Sequence, residues 1–204
     1  MGVSAFLLAL AMAPAAPVVV AFGDSITEGY GVARGEDYPA QLERALRARG
    51  RRVTMINAGV SGDTTNNALD RVGSVIASKP SLVIVEFGGN DGLRGLPPSA
   101  TRKNLSEIIV RLQQAGARVA LVGMTLPKNY GSGYLAKFEQ LYKDLAAQHK
   151  ITLIPVGPAE VLGSAGGSKQ GLMQTDGIHP TGAGYAKFVA YLRPFIEKEL
   201  ASAR

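Results

Sequence analysis

Five short apolar runs, each closed by turn-forming residues, alternate along the chain with segments of helical periodicity. Short apolar runs rich in β-branched residues are typical of strands buried on both faces. Their alternation with helices predicts an α/β fold, in which a parallel sheet carries helices on both sides. The predicted strands are 18–22, 53–56, 82–85, 118–122 and 152–156, the predicted helices are 38–49, 65–78, 99–115, 134–149 and 181–200, and a glycine-rich loop is predicted at 163–171.

Small and polar residues gather where the predicted strands end. The first strand runs into Gly23-Asp24-Ser25, and the next two run into loops that hold Gly62 and Gly88-Gly89-Asn90-Asp91. A further polar turn, Asp176-Gly177-Ile178-His179, precedes the last helix. Open α/β sheets bind their ligands at the carboxyl ends of the strands. We therefore expect the functional site at this edge of the sheet.

Ser25 is a candidate nucleophile, because it directly follows the first strand. A serine hydroxyl needs a base that takes its proton. Only two histidines are available, and His149 ends an amphipathic helix, which favours a surface position. His179 follows Asp176 by three residues, so the carboxylate can reach the ring and fix its tautomer. A capping or turn role for Asp176 is the alternative interpretation.

Three groups could stabilise the oxyanion that forms when Ser25 attacks a carbonyl. The Ser25 N–H lies at a predicted helix start, which favours anions. Gly62 can present an unobstructed N–H, and Asn90 can supply a side-chain NH₂. The alternative is that Gly62 and Asn90 only form turns.

The motifs Gly23-Asp24-Ser25, Gly62, Gly89-Asn90-Asp91 and Asp176-x-x-His179 resemble, in order, the four blocks of the SGNH (GDSL) hydrolases. The resemblance covers nearly the whole chain after residue 17. Leu126-Pro127-x-Asn129-Tyr130-Gly131 is further similar to the bacterial multifunctional thioesterase, lysophospholipase and arylesterase subgroup.

The resemblance implies a three-layer, flavodoxin-like fold with strand order 2-1-3-4-5. It also implies that Ser25 is the nucleophile, His179 the base and Asp176 the residue that orients it. Ser25, Gly62 and Asn90 would form the oxyanion hole. The segment 91–97 would be a mobile loop over the acyl chain, and the pocket for that chain would be lined by Leu93, Leu126 and Pro127.

The implied activity is hydrolysis of carboxylic esters and thioesters, such as aryl esters, acyl-CoA and lysophospholipids, through an acyl-enzyme. No metal or organic cofactor would be needed. A carbohydrate O-deacetylase with the same triad is an alternative, which the apolar residues predicted for the pocket disfavour. Two further alternatives are a non-catalytic binding module and a metal-dependent phosphoesterase, whose carboxylates would be Asp24, Asp63, Asp91 and Asp176.

Length, cysteine content and charge bear on the number of domains, on disulfides and metal sites, and on binding partners. The length of 204 residues favours one domain, 17–204, and we expect a monomer. The absence of cysteine excludes disulfides and cysteine-based metal sites. The net charge is +6. The densest cluster of positive charge comprises Arg44, Arg47, Arg49, Arg51 and Arg52. We interpret it as a solvated helix end rather than a nucleic-acid site, with weak attraction to anionic lipid as the alternative.

The first 16 residues combine an apolar core with small residues, as in a secretory signal peptide, and predict a periplasmic or secreted protein. No Lys or Arg precedes that core. The alternatives are a mis-set or truncated start, or a buried N-terminal element in a cytoplasmic protein. The core is too short to span a bilayer, and no other stretch is long and apolar enough to do so.

Overall fold

A computed structural model describes residues 15–163 and 171–202. Nearly all of the predicted leader and of the glycine-rich loop therefore lies outside the described residues. The sheet has five strands, all parallel, in the order β2-β1-β3-β4-β5, which confirms the predicted fold class and strand order. The strands are Val18–Gly23 (β1), Thr54–Gly59 (β2), Leu82–Glu86 (β3), Arg118–Val122 (β4) and Thr152–Ile154 (β5).

The five long helices predicted from periodicity are present, with ends that differ from the prediction by at most two residues. They are Tyr38–Arg47 (α2), Thr65–Ala77 (α3), Pro98–Gln114 (α5), Ser132–His149 (α6) and Gly182–Ala201 (α8). The sequence did not predict the extent of the single-turn elements, because one turn is too short to show a 3.6-residue period. These are Ser25–Glu28 (α1), Gly89–Leu93 (α4), Pro158–Leu162 (α7) and a 3₁₀ turn at Lys128–Tyr130.

The two faces of the sheet carry separate hydrophobic cores. On one face, Val20, Phe22, Val83 and Val85 pack with side chains of α3, α5 and α6. On the other face, the alternate residues of the same strands pack with α2 and α8. Because β1 and β3 are buried on both faces, their carboxyl ends are fixed in position. Of the helices in the described part of the chain, none is long and apolar enough to cross a membrane.

Two strands, β2 and β5, end more than one residue from the predicted position, and each difference has a local cause. β5 stops at Ile154, since Pro155 has no N–H to continue the ladder. β2 continues to Gly59 because its last residues pair with β1 as far as Gly23. The Val60 N–H then donates to the Gly23 carbonyl at 3.1 Å, so the loop after β2 begins beside the turn that carries Ser25.

Candidate active site

Ser25, His179 and Asp176 form a continuous chain of hydrogen bonds at the carboxyl edge of the sheet. His179 Nε2 lies 2.9 Å from Ser25 Oγ, and His179 Nδ1 lies 2.7 Å from Asp176 Oδ2. A carboxylate at Nδ1 favours the tautomer with its proton on that nitrogen, which leaves Nε2 to accept the serine proton. The structure thus brings together the three side chains predicted to form a triad.

The turn before α8 holds Asp176 in the orientation that this contact requires. Asp176 Oδ1 accepts hydrogen bonds from the backbone N–H groups of Ile178, at 2.9 Å, and His179, at 3.0 Å. Burial alone would raise the pKa of Asp176, but the hydrogen bonds from His179 and Ile178 outweigh it and hold that pKa below its usual value. Asp176 is therefore ionised at neutral pH.

The turn that presents Ser25 is unusually tight. A Cβ on Gly23 would lie 1.9 Å from Thr27 Oγ1 and 2.6 Å from Glu86 Oε2, so this position accepts only glycine. Asp24 follows and caps α1, since its Oδ1 accepts from the Ile26 N–H at 3.1 Å. Ser25 is consequently the first residue of α1, with its backbone N–H at the helix start.

The predicted oxyanion donors differ in their hydrogen bonding. Within the described residues, neither the Ser25 N–H nor the Gly62 N–H donates to another protein group. Gly62 lies in an exposed loop with φ +82°, a conformation that favours glycine, and its carbonyl accepts from Arg94 Nη2 at 3.0 Å. Asn90 Nδ2 already has two acceptors, Asp24 Oδ2 at 3.1 Å and the Asp63 carbonyl at 3.0 Å.

A cavity of about 530 Å³ opens beside Ser25 and His179. Its wall includes the three residues predicted to contact substrate, Leu93, Leu126 and Pro127. The wall also contains residues that the sequence did not single out, since nothing in their local pattern marks them: Met124, Lys128, Glu160 and Ile178. A largely apolar pocket with a few polar groups at one end suits an apolar chain that carries one reactive group.

The segment 91–97, predicted to be a mobile loop, comprises the last residues of α4 and the compact turn that joins α4 to α5. The Leu96 N–H donates to the Asp91 carbonyl at 3.0 Å. Two tyrosine hydroxyls, one from the 3₁₀ turn and one from α6, reach the segment: Tyr130 donates to the Leu93 carbonyl at 2.9 Å and Tyr134 to the Leu96 carbonyl at 2.6 Å. The side chains of Leu93 and Leu96 remain exposed, and Leu93 lines the cavity.

Two buried carboxyls accompany the Ser25 turn: Asp24 is part of it, and Glu86 packs against Gly23 and Thr27. Burial raises the pKa of Asp24 to about 6, although the Ile26 N–H, the charge of His179 and the Asn90 amide oppose the rise. Burial, followed by repulsion from Asp24, raises the pKa of Glu86 well above its usual value. Glu86 Oε2 accepts from Thr27 Oγ1 at 2.7 Å. Nothing in the sequence marks Glu86 beyond its place at a strand end.

The aspartates considered for a metal site each face a different partner. Asp24 accepts from Ile26 and Asn90, Asp63 pairs with Arg71, Asp91 accepts from Thr65, and Asp176 accepts from His179. Over residues 15–163 and 171–202, no group of three or more His, Cys, Asp or Glu side chains is arranged to hold a metal ion. The second histidine, His149, contacts Ser106 Oγ at 2.8 Å and is not part of the cavity wall.

The sequence profile of the GDSL-like Lipase/Acylhydrolase family matches residues 21–187, which is most of the chain. Esterase TesA of Pseudomonas aeruginosa is 37% identical over 94% of this chain and 93% of its own length. An arylesterase of Vibrio mimicus is 36% identical over 86% of each chain. Thioesterase 1/protease 1/lysophospholipase L1 of Escherichia coli K12 is 36% identical over 82% of this chain and 77% of its own.

Solved structures support the same relationship. A crystal structure of TesA superposes with a TM-score of 0.82 at 37% identity, covering 89% of this chain and 99% of that chain. The match therefore extends from the order of the motifs to the arrangement of the whole sheet.

Proposed function

Since this chain belongs to the GDSL (SGNH) hydrolase family and is a carboxylic ester hydrolase, we propose that it is a serine esterase whose nucleophile is Ser25. One observation carries this proposal: the unbroken hydrogen-bonded chain from Asp176 through His179 to Ser25 Oγ, at the end of an apolar cavity. We further propose that its substrates are carboxylic esters and thioesters with apolar acyl chains.

In the first step, Ser25 Oγ attacks the carbonyl carbon while His179 Nε2 takes the hydroxyl proton. Ser25 Oγ and His179 Nε2 are 2.9 Å apart, so the proton can pass between them without any change in the backbone. The imidazolium that forms is stabilised by Asp176, which is ionised and faces Nδ1.

The carbonyl oxygen becomes an oxyanion, which the Ser25 N–H, the Gly62 N–H and the Asn90 amide would stabilise. The Ser25 and Gly62 N–H groups can do so without breaking an existing hydrogen bond. Both hydrogens of the Asn90 amide are engaged in the resting enzyme, one with Asp24 and one with Asp63. Asn90 must therefore redirect or share one of them to reach the oxyanion. Each donor would contribute about 3 kcal/mol to transition-state stability.

His179 then gives its proton to the leaving alcohol or thiol, and the carbon–oxygen or carbon–sulfur bond breaks. Water attacks the resulting acyl-enzyme with His179 again as the base, which releases the carboxylic acid and restores Ser25. None of these steps requires a group beyond the chain's own residues and water.

The wall of the cavity supports the choice of acyl chain. Leu93, Leu126, Pro127 and Met124 supply apolar surface next to Ser25. Aryl esters, acyl-CoA thioesters and lysophospholipids all present an apolar chain or ring on one side of the scissile bond. The names of the relatives (arylesterase, thioesterase, lysophospholipase) support these three classes.

The proposal is tested with p-nitrophenyl esters from acetate to palmitate, comparing wild type, Ser25→Ala and His149→Ala. Ser25→Ala should lose about 10⁴-fold or more in kcat, whereas His149→Ala should retain full activity. Retention of activity by Ser25→Ala would refute the nucleophile assignment. A wild-type optimum at acetate with a steep fall beyond it would instead favour a carbohydrate O-deacetylase.

Export to the periplasm or medium is a second part of the proposal, supported by the signal-like composition of residues 1–16. Amino-terminal sequencing of protein expressed from the full sequence should give a new terminus close to Pro17. An intact Met1 on enzyme confined to the cytoplasm would refute export.

A further inference from the structure

Arg71 extends from the middle of α3 to the carboxyl edge of the sheet, where it contacts three separate segments. Its Nε donates to Asp63 Oδ2 at 2.6 Å, its Nη1 to the Ala58 carbonyl at 2.8 Å and its Nη2 to the Gly23 carbonyl at 2.9 Å. These acceptors belong to the loop after β2, the end of β2 and the end of β1. A single guanidinium therefore joins all three.

Aromatic rings fix the plane of this guanidinium. Its central carbon lies 4.6 Å from the centroid of the Phe22 ring and 5.6 Å from that of Phe87. The two rings meet edge to face, with centroids 4.8 Å apart. Only 24% of the Arg71 side chain is exposed. The stacking and the three hydrogen bonds hold the planar guanidinium in a single orientation. The ammonium group of a lysine, which is flexible and not planar, would not be held in this way.

Two of the three segments that Arg71 joins lie next to a proposed oxyanion donor. Gly23 is two residues before Ser25, and Asp63 directly follows Gly62. The third donor is connected through Asp63, whose carbonyl accepts from Asn90 Nδ2 at 3.0 Å. The relative positions of the Ser25 N–H, the Gly62 N–H and the Asn90 amide therefore depend on the Arg71 contacts.

We propose that Arg71 is the positioning residue of the oxyanion hole: it holds the β1 and β2 ends in register so that the three donors converge. The inference rests on the proposed function, because it concerns that reaction's transition state. Arg71 does not contact the substrate in this role. Donors misplaced by about 1 Å can cost about 100-fold in rate, so a residue that sets their spacing should act on kcat rather than on KM.

The test measures kcat and KM of Arg71→Gln and Arg71→Lys with p-nitrophenyl butyrate. Arg71→Gln should lower kcat about 10- to 100-fold while KM changes less than about twofold. Arg71→Lys should be intermediate, because an ammonium group can pair with Asp63 but cannot also reach both carbonyls. Asp63→Asn, which keeps the Asp63 backbone carbonyl, provides an independent variant and should also lower kcat.

Arg118→Gln is the matched control for loss of a partly buried, ion-paired arginine. Arg118 begins β4 at the opposite edge of the sheet, is 29% exposed and pairs with Glu199 at 3.5 Å. All assays are run well below the lowest Tm in the set. Arg118→Gln should lower Tm to a similar degree as Arg71→Gln but leave kcat unchanged.

Two readouts separate positioning from a general structural role. When Asn90 is already replaced by alanine, adding Arg71→Gln should lower kcat by less than about a further threefold. The effects of two substitutions that act on the same oxyanion hole are not additive. The affinity for an alkyl boronic acid, which forms a tetrahedral adduct with the serine, should fall in proportion to kcat/KM. Binding of the carboxylate product should not change.

Unchanged kcat in Arg71→Gln, or a full additional loss in the Asn90→Ala background, would overturn the inference. Ser25→Ala separates this failure from that of the proposed function. An inactive Ser25→Ala with a fully active Arg71→Gln removes only the role of Arg71, whereas an active Ser25→Ala removes the proposed function itself.

Discussion

The side-chain amide of Asn90 donates to the carboxylate of Asp24 at 3.1 Å, in a site where Asp24 is almost fully buried. The contact links the residue before the proposed nucleophile to a proposed oxyanion donor. It also places a desolvated negative charge next to the position where the oxyanion would form. The protonation state of Asp24 should therefore affect both the stability and the chemistry of the site.

Asp24→Asn should flatten the dependence of stability on pH. The pKa of Asp24 is about 6 in the folded protein against 3.8 when unperturbed, so between these values the folded state binds more protons than the unfolded state. Stability then falls as pH rises through this window, by on the order of 2–3 kcal/mol. Asparagine keeps an acceptor for the Ile26 N–H but cannot ionise.

The measurement is the free energy of unfolding in urea at several values between about pH 4 and pH 7. The difference between Asp24→Asn and wild type should move in favour of the variant as pH rises. Parallel curves for the two proteins would show that Asp24 does not titrate abnormally.

Asp176→Asn should lower kcat by about 10³- to 10⁴-fold with little change in KM, as expected when a triad carboxylate is lost. The amide oxygen can still accept from the Ile178 and His179 N–H groups, so the turn should persist. An amide NH₂ facing Nδ1 would favour the tautomer with the proton on Nε2, which cannot take the Ser25 proton. Circular dichroism and Tm close to wild type would show that the fold is intact, and near-normal kcat would contradict the assignment.

Gly92→Ala should shift chain-length preference toward shorter acyl groups. A Cβ at position 92 would lie 2.4 Å from Leu126 Cδ1 and 2.6 Å from Cδ2. The Leu126 side chain must therefore move away from α4, and it already lines the cavity. The ratio of kcat/KM for p-nitrophenyl palmitate to that for p-nitrophenyl butyrate should fall about tenfold. This is the size of effect expected when a pocket loses room for one or two methylene groups.

Gly73→Ala is the control for that change, because a Cβ there meets nothing within 4 Å and the position is also helical. It should leave the chain-length profile unchanged and stabilise α3 by up to about 1 kcal/mol. An equal change of profile in both variants would mean that the effect does not act through Leu126.

Local sequence patterns were sufficient to predict a parallel sheet and to single out Ser25, His179 and Asp176, whereas the strand order came from the resemblance to the SGNH hydrolases. Val18 to Phe22 is apolar throughout because both of its faces are covered, and Asp176 lies three residues from His179, so the pairing is visible within one turn. The end of β5 was predicted two residues too late, since the apolar run continues past Pro155 while the hydrogen-bond ladder cannot.

Arg71 and Glu86 could not be predicted in the same way. The acceptors of Arg71 lie 8, 13 and 48 residues away along the chain, and only the packed structure brings them together. Arg71 sits within an amphipathic helix, where an arginine normally indicates a solvated face. Glu86 follows four apolar residues of β3, and its burial depends on how closely Gly23 and Thr27 approach it.

Glu86→Gln should change the pH dependence of stability: relative to wild type, the variant should become increasingly stable as pH rises above about 4.5, the usual pKa of a glutamate. Burial and repulsion from Asp24 raise the pKa of Glu86 well above its usual value, so the folded state retains a proton that the unfolded state has lost. Stability of the wild type must fall as pH rises toward that folded-state pKa, and glutamine removes this loss. Its side-chain oxygen can still accept from Thr27 Oγ1, as Oε2 of Glu86 does now.

Glu86→Ala separates the effect of charge from that of packing. It leaves the Thr27 hydroxyl without this acceptor and opens a void beneath the Ser25 turn, so Glu86→Ala should be about 2–3 kcal/mol less stable than Glu86→Gln at every pH. Urea unfolding of the three proteins from about pH 4 upward distinguishes the cases. If Glu86→Gln loses stability with pH as steeply as wild type, then the buried carboxyl of Glu86 is not the group whose proton stabilises the fold.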